Sequence, residues 1–172
     1  MEDRQRELLE LLDKSGASLY ALLTRLTLRQ DVAEELMQEL FIKLSNTKGL
    51  HKIRNWGAYA QRAAINLAFD WRRRQRRTCL SLDDVPVAAS NDCSPLSNMI
   101  HAEQLQQMLN AIGRLNRTSR QALVMRYVQQ QPYDNIAEQM GKTAHQVRAL
   151  CYKAINRLRD LLGKDRKEAY DV

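Results

Sequence analysis

Residues 133–162 read YDNIAEQM, GKT and AHQVRALCYKAINRLRDLL in succession, and this is the most specific pattern in the chain. It predicts a short helix, a tight turn at Gly141 and a longer helix capped by Thr143. Two helices that cross steeply need small and apolar residues where they meet. The pattern supplies them at Ile136, Ala137, Val147 and Leu150. The segment therefore predicts a helix-turn-helix.

The longer helix of this motif keeps a polar face available on its outward side. The outward residues are His145, Gln146, Arg148, Ala149, Tyr152 and Lys153. An α-helix fits the major groove of DNA, where Gln and Arg make bidentate contacts to adenine and guanine edges. The motif therefore points to duplex DNA as a partner.

The composition of the whole chain favours packed helices. The 172 residues are 44% hydrophobic and only 6% aromatic, with six Gly and three Pro. We therefore expect an all-α protein. No apolar run approaches the ~20 residues of a transmembrane helix, and the N-terminus lacks a secretory pattern. An odd number of cysteines without a CxxC pair suits a reducing compartment, so we expect a cytoplasmic protein.

Charge divides the chain into three segments with different composition. Residues 1–78 carry a net +5, residues 79–100 carry −3 with no basic residue, and residues 101–172 carry +5. The middle segment also holds two of the three prolines. This predicts an N-terminal domain, a flexible acidic linker and a C-terminal domain at those bounds. The net charge of +7 makes a polyanion a plausible partner.

Apolar spacing predicts the helices of the N-terminal domain. Two short helices are expected on either side of Ser15–Gly16, followed by a helix that Asp31 caps with Glu34 as its capping-box partner. The expected buried stripe of that helix is Val32, Leu36, Leu40, Phe41 and Leu44. A further helix carries Trp56, Tyr59, Ala63, Leu67 and Trp71 at helical spacing. We place Trp71 in the core, whereas Trp56 fits either the core or a stacking platform.

Two more helices are expected before the helix-turn-helix. One carries Ile100, Leu105, Leu109 and Ile112 and ends at Gly113. The other spans about 117–129, with Leu123, Tyr127 and Val128 facing inward.

Three motifs in this order resemble the extracytoplasmic-function, or group IV, sigma factors of bacterial RNA polymerase, within the sigma-70 superfamily. DVAEELMQELFIKL is similar to the family's polymerase-binding helix. NWGAYAQRAAINLAFDWRRRQRR is similar to its promoter-melting helix, and the helix-turn-helix resembles its last DNA-binding domain. The resemblance covers almost the whole chain.

The resemblance implies a promoter-specific initiation factor without a cofactor. Its implied partners are core RNA polymerase, through the β′ clamp helices and the β flap, promoter DNA, and an anti-sigma protein that holds it inactive. The C-terminal domain would read a −35 element, and the N-terminal domain would melt a −10 element.

The same resemblance, together with residue chemistry, assigns candidate site residues. The polymerase surface is expected at Glu35, Gln38, Glu39 and Phe41. A polar, basic face for flipped bases and single strands is expected at Lys52, Arg54, Asn55, Arg62, Asn66, Arg73 and Arg74. The −35 surface is expected at Arg120, Arg126, Thr143, Gln146, Arg148, Tyr152 and Lys153, with Gln146 and Arg148 reading bases.

The recognition helix departs from the family's frequent Gly-Thr-Val-Lys-Ser-Arg pattern. This chain has His145 in place of the Gly and Leu150 in place of the Arg. The promoter sequence of relatives is therefore not transferable to this protein.

Two other classes of function are the alternatives to a sigma factor. A stand-alone helix-turn-helix regulator would dimerise through its N-terminal domain and bind a palindrome without polymerase. An enzyme is disfavoured, because the chain has no HExxH, no EF-hand loop and no Gly-rich phosphate loop. Cys79, Cys93 and His101 match no standard zinc spacing, and no metal is expected. The sequence does not assign a redox role to Cys151.

Overall fold

The computed structural model describes residues 2–47, 55–78 and 95–170 of the chain. Regular structure in these ranges is helical, without a β-strand, which confirms the all-α prediction. The elements are α1 (Glu2–Thr27), α2 (Gln30–Asn46), α3 (Trp56–Thr78), α4 (Pro95–Gly113), α5 (Arg117–Leu123), a π-helical segment (Val124–Val128), α6 (Tyr133–Met140) and α7 (Ala144–Tyr170). Helices α1–α3 form an N-terminal module, and α4–α7 form a C-terminal one.

Helix α1 is continuous, so the prediction of two short helices around Ser15–Gly16 is wrong. A glycine inside a helix costs only about 1 kcal/mol relative to alanine. The four leucines that follow are buried where α1 packs on α2 and α3, and each contributes more than that cost. They are Leu19, Leu22, Leu23 and Leu26.

The chain turns sharply between α1 and α2 without a glycine. Leu28 has a positive φ of 61°, and its N–H donates to the Thr24 carbonyl at 2.8 Å. Arg29 occupies the N-cap position of α2, and no side chain caps this helix. The predicted capping box of Asp31 and Glu34 is therefore wrong. Asp31 lies in the first turn, where the positive end of the helix dipole favours a carboxylate.

Helix α2 buries Val32, Ala33, Leu36, Leu40 and Leu44. Phe41 does not belong to this stripe, contrary to the prediction, because its side chain is 38% exposed. Leu40 occupies the core position, and the next residue is rotated by about 100° around the helix axis. Phe41 therefore faces away from the core of the N-terminal module.

Helix α3 is the central helix, because it contacts both modules. Its residues 63–69 are buried without interruption, including Ile65 and Phe69. Trp56 and Trp71 are half-buried and pack against the core, and the rings of Trp56 and Tyr59 meet edge to face at 6.0 Å. Both tryptophans are therefore core residues in this structure.

Helix α4 begins at Pro95, inside the segment predicted as linker, so residues 95–100 are helical. Proline is favoured in the first turn of a helix, where its missing N–H is not needed. Leu109 and Ile112 are buried as expected, whereas Ile100 and Leu105 are exposed.

The helix that follows changes to π-helical geometry at Val124. The Gln129 N–H donates to the Val124 carbonyl at 3.1 Å, which spans five residues instead of four. This wider turn leaves Tyr127 52% exposed and turns Val128 toward the core. The inward prediction for Tyr127 is therefore wrong because it assumed an unbroken α-helical period.

The helix-turn-helix is formed by α6 and α7. Gly141 follows α6 in the left-handed conformation, with φ 63° and ψ 40°, which glycine adopts without strain. Ile136, Ala137 and Val147 are buried between the helices, and Leu150 is half-buried. This confirms the predicted motif. Within the described ranges, none of the helices combines the length and apolar character needed to cross a membrane.

Candidate nucleic-acid interface

The outward face of α7 carries the predicted −35 residues. Gln146, Arg148, Tyr152 and Lys153 are exposed, as is Thr143 just before the helix. Val147 and Cys151 are buried on the opposite face. The buried face holds α7 against the module, so the polar face is presented on a rigid helix.

Thr143 and Gln146 form a reciprocal capping box at the start of α7. The Gln146 N–H donates to Thr143 Oγ1 at 3.2 Å, and the Thr143 N–H donates to Gln146 Oε1 at 3.0 Å. This arrangement satisfies two backbone donors that a helix start leaves without partners. It confirms the predicted cap, and it also occupies one of the two polar atoms of the Gln146 amide.

Two predicted −35 arginines share one aromatic ring. The guanidinium carbons of Arg126 and Arg148 lie 4.6 and 5.3 Å from the centroid of Tyr133. Arg126 Nη1 also donates to the Gln131 carbonyl at 3.0 Å. Sequence reasoning missed Tyr133, although its position at the start of α6 was visible.

The seventh predicted −35 residue, Arg120, lies apart from this surface. It is only 5% exposed, and its guanidinium carbon lies 5.0 Å from the ring centroid of Phe69 on α3. Arg120 Nη1 donates to the Gly113 carbonyl at 3.3 Å. Burial lowers the pKa of this guanidinium. Arg120 therefore packs between the two modules in this arrangement.

The predicted −10 residues fall into four groups. Lys52 and Arg54 lie outside the described residues. Asn55 caps α3, because its Oδ1 accepts from the Ala58 N–H at 2.9 Å. Arg73 and Arg74 are exposed; Arg73 pairs with Asp70 at 2.9 Å, and Arg74 lies 3.9 Å from Glu39. The fourth group, Arg62 and Asn66, lies between the modules.

Arg62 and Asn66 line a cleft of about 280 Å³ between the two modules. Asn66 is 5% exposed, and its Oδ1 accepts from Gln121 Nε2 of α5 at 3.2 Å. The lining residues are Lys43, Tyr59, Arg62, Ala63, Asn66, Arg117 and Gln121. Three of them are cationic and none is acidic, so the cleft carries positive charge. Sequence reasoning missed Lys43 and Arg117, because their positions adjoin this cleft only in the folded chain.

Arg72 is a further residue between the modules that the sequence did not reveal. It is the first arginine of the basic run, yet it is only 6% exposed. Nη1 donates to the Leu26 carbonyl at 3.2 Å, and Nη2 donates to Asn110 Oδ1 at 3.0 Å and to Gln106 Oε1 at 2.5 Å. Burial, with a smaller contribution from the charge of Arg76, lowers the pKa of Arg72 to about 10. Arg72 thus joins α1 and α3 to α4 through neutral acceptors.

The predicted polymerase surface lies on the solvent side of α2. Glu35, Gln38, Glu39 and Phe41 are all exposed, away from the buried stripe of that helix. The structure therefore brings a partly apolar, acidic patch together there.

The described residues contain no group of three His, Cys, Asp or Glu side chains able to hold a metal ion. Cys79 and Cys93 lie outside the described residues, and His101 is exposed. Cys151 is a free, buried thiol, and burial raises its pKa.

Family comparison matches both modules. The family described as Sigma-70 region 2 matches residues 11–78, and the family described as Sigma-70, region 4 matches residues 105–158.

Two curated relatives are extracytoplasmic-function RNA polymerase sigma factors. BldN of Streptomyces coelicolor is 26% identical over 136 residues, which cover 77% of this chain and 52% of BldN. SigE of Mycolicibacterium smegmatis is 26% identical over 162 residues, which cover 92% of this chain and 63% of SigE. The chain thus spans about half to two-thirds of the length of these relatives.

Among solved structures, the chain is similar to the sigma factor RpoE of Bartonella quintana in its complex with the anti-sigma factor NepR. The TM-score is 0.47 at 22% identity, covering 95% of this chain and 98% of the other. Region 2 falls in the N-terminal module, and region 4 falls in the C-terminal module. With both regions and these relatives, the chain belongs to the extracytoplasmic-function sigma factors of the sigma-70 family.

Proposed function

We propose that this protein binds core RNA polymerase and directs promoter-specific initiation by reading a −35 element and melting a −10 element. The observation that carries the proposal is the presence of regions 2 and 4 in one chain, with the polar face of α7 exposed. A stand-alone regulator needs only the second of these regions and is not favoured. Sigma factors are regulators of initiation rather than catalysts, and we propose no catalytic activity for this chain.

The C-terminal module reads the −35 element through the start of α7. Gln146 and Arg148 contact base edges in the major groove, because amide and guanidinium groups match adenine and guanine edges there. Thr143, Tyr152 and Lys153 contact base edges or phosphates at the rim of the same surface, and Arg126 contacts phosphates.

The N-terminal module holds the melted −10 strand with the polar and basic residues of α3 and the segment before it. Two of the predicted DNA-contacting residues, Asn66 and Arg120, are buried where the modules meet. DNA cannot reach either side chain in this arrangement. We therefore propose that the two modules separate before the −10 face of α3 engages DNA.

Polymerase binding uses the exposed face of α2. An acidic, partly apolar patch around Phe41 suits docking on the β′ clamp helices, with Glu35, Gln38 and Glu39 at its polar positions. Family membership supports a second polymerase contact, to the β flap, and an anti-sigma partner that holds the protein inactive. It also supports a cytoplasmic location, where core polymerase works.

Core-polymerase binding tests the proposal directly. Purified bacterial core polymerase is mixed with the full chain and separated by gel filtration, using wild type and Gln38→Ala/Phe41→Ala. We expect wild type to co-elute with core and the double variant to bind at least ten times more weakly. Leu9→Ala is the matched control, because Leu9 is also an exposed apolar residue but lies on α1. Equal binding by all three proteins, or none by wild type, would contradict the proposal.

A further inference from the structure

Tyr133 stands at the meeting point of three elements of the C-terminal module. It opens α6, while Arg126 reaches its ring from the π-helical segment and Arg148 reaches it from α7. Both guanidinium carbons lie within the ~6 Å at which a cation is attracted to an aromatic face. One ring therefore restrains two cations that come from different helices.

The π-helical segment places Arg126 at the ring. The wider turn is closed by the Gln129 bond to Val124 and by a bond from the Gln131 N–H to the Met125 carbonyl at 3.0 Å. The Gln131 carbonyl then accepts from Arg126 Nη1 at 3.0 Å. A hydrogen bond and a ring contact thus fix the Arg126 side chain together.

Arg148 is held differently. Its side chain is exposed, and within the part of the chain that the structure describes the ring of Tyr133 is the one side-chain contact found for its guanidinium. A ring contact of this kind uses the face of the guanidinium and not its N–H donors. The five donors of Arg148 stay available for a guanine edge or a phosphate.

The ring of Tyr133 is itself fixed in place. It packs half-buried against the core. Burial first, and the neighbouring Tyr133 hydroxyl second, raise the pKa of Tyr127. The ring is therefore a firm support instead of a side chain that follows the arginines.

We propose that Tyr133 is a positioning residue for −35 recognition, which orders the side chains of Arg126 and Arg148 before DNA arrives. The inference rests on the proposed function, because it assumes that Arg148 reads a base. A long side chain that is already ordered loses less rotamer entropy on binding. A ring that orders Arg148 thus strengthens the base preference that Arg148 produces, without touching DNA itself.

The first test needs no DNA. Protons held over an aromatic face resonate upfield, so the Nε–Hε signals of Arg126 and Arg148 report the ring contact by NMR in the full chain. We expect upfield-shifted signals in wild type and in Tyr133→Phe, which keeps the ring, and loss of the shift in Tyr133→Leu. Ordinary Arg148 shifts in wild type would overturn the proposal whether or not the protein is a sigma factor.

The second test measures base preference. Holoenzyme made from core polymerase and the full chain transcribes a promoter fragment with randomised −35 positions. We expect Tyr133→Leu to lower use of the preferred sequence by about 2- to 30-fold, the range of a cation–π contact. Tyr133→Leu and Arg148→Ala should weaken the base preference at the same −35 positions. Adding Tyr133→Leu to Arg148→Ala should cause little further change. Tyr133→Phe should stay within about twofold of wild type.

These readouts separate positioning from simple packing. If Tyr133 only supports the fold, Tyr133→Leu lowers the melting temperature and weakens all sequences equally, and the proposal is wrong. Unchanged base preference in a Tyr133→Leu protein that has lost the NMR shift would also overturn it. Absence of specific transcripts with wild type would instead contradict the proposed function, while the NMR result still decides whether the ring holds the arginines.

Discussion

The side-chain amide of Gln146 has two uses that compete. Its Oε1 accepts from the Thr143 N–H in the capping box, yet a bidentate contact to adenine needs both Oε1 and Nε2. DNA reading by Gln146 therefore opens one bond of the cap. The cost of that bond reduces the affinity gained from the base.

Gln146→Glu separates these two uses. Glutamate serves a capping box as well as glutamine does, so we expect the melting temperature to stay close to wild type. A carboxylate cannot donate to the base and repels phosphate, so promoter binding by holoenzyme should fall at least tenfold. Thr143→Ala is the companion variant, with an expected stability loss of about 1 kcal/mol. Promoter binding unchanged in Gln146→Glu would show that Gln146 does not read a base.

Burial of the Cys151 side chain predicts how fast its thiol reacts. Burial raises the pKa of its thiol, so the folded state favours the neutral form. The neutral thiol therefore contributes stability to the folded state below the pKa of the thiol in the unfolded chain. This contribution is lost as the pH rises through the higher pKa of the thiol in the folded protein. In a Cys79→Ser/Cys93→Ser background, we expect iodoacetamide at pH 8 to react at least ten times more slowly than in urea. Equal rates would show that the thiol is accessible in the folded protein.

At the scale of elements, replacing glycine by alanine should change stability in opposite directions at two positions, Gly16 and Gly141. A Cβ at Gly16 would meet only Leu12 Cδ2, at 4.0 Å, so Gly16→Ala should stabilise α1 by about 0.5–1 kcal/mol. A Cβ at Gly141 meets nothing within 4 Å, but φ is +63°, so Gly141→Ala should destabilise by about 1 kcal/mol or more. Thermal or urea unfolding measures both. The same sign for both variants would contradict the continuous α1 or the left-handed turn.

The type of a helical element could be predicted from the sequence where the apolar spacing was regular, but the boundaries of the elements could not. The helix-turn-helix was predicted because Gly141 and Thr143 mark its turn with residues that the backbone geometry requires. The turn at Leu28 carries no such residue, since a leucine adopts positive φ there. The π-helical turn that exposes Tyr127 is also invisible in a pattern that assumes a constant helical period.

At the scale of the whole molecule, Arg72 governs how the modules hold together. A buried cation without a carboxylate partner is costly, and here neutral oxygens accept from its two Nη atoms while its Nε has no partner. Removing the side-chain acceptors Gln106 Oε1 and Asn110 Oδ1 leaves the buried charge with backbone carbonyls alone, which is worse than removing the charge itself. Closure of the modules therefore depends on Gln106 and Asn110.

Small-angle scattering tests this dependence. We expect Gln106→Leu/Asn110→Leu to raise the radius of gyration, because the modules separate. Adding Arg72→Met to that variant should restore a wild-type radius, because the buried Arg72 charge that lacks its side-chain acceptors is gone. Arg76→Met is the matched control from the same basic run, since Arg76 is exposed and should leave the radius unchanged. A wild-type radius in the double Leu variant would contradict this role.

Long-range packing also explains which site residues the sequence revealed. The outward face of α7 follows from local helical spacing and was predicted correctly as exposed. Burial of Asn66 and Arg120 depends on how α5 meets α3, which no local pattern encodes. The basic run looked uniform in sequence, yet only the packing of α4 singles out Arg72.

Promoter-specific initiation by this chain can be measured with purified components. The most direct measurement is in vitro transcription with sigma-free bacterial core polymerase and genomic fragments from the source, comparing wild type with Gln38→Ala/Phe41→Ala. We expect specific start sites with wild type, preceded by shared −35 and −10 sequences, and their loss in the double variant. Specific binding of fragments by the protein alone, without any core-dependent transcript, would contradict it.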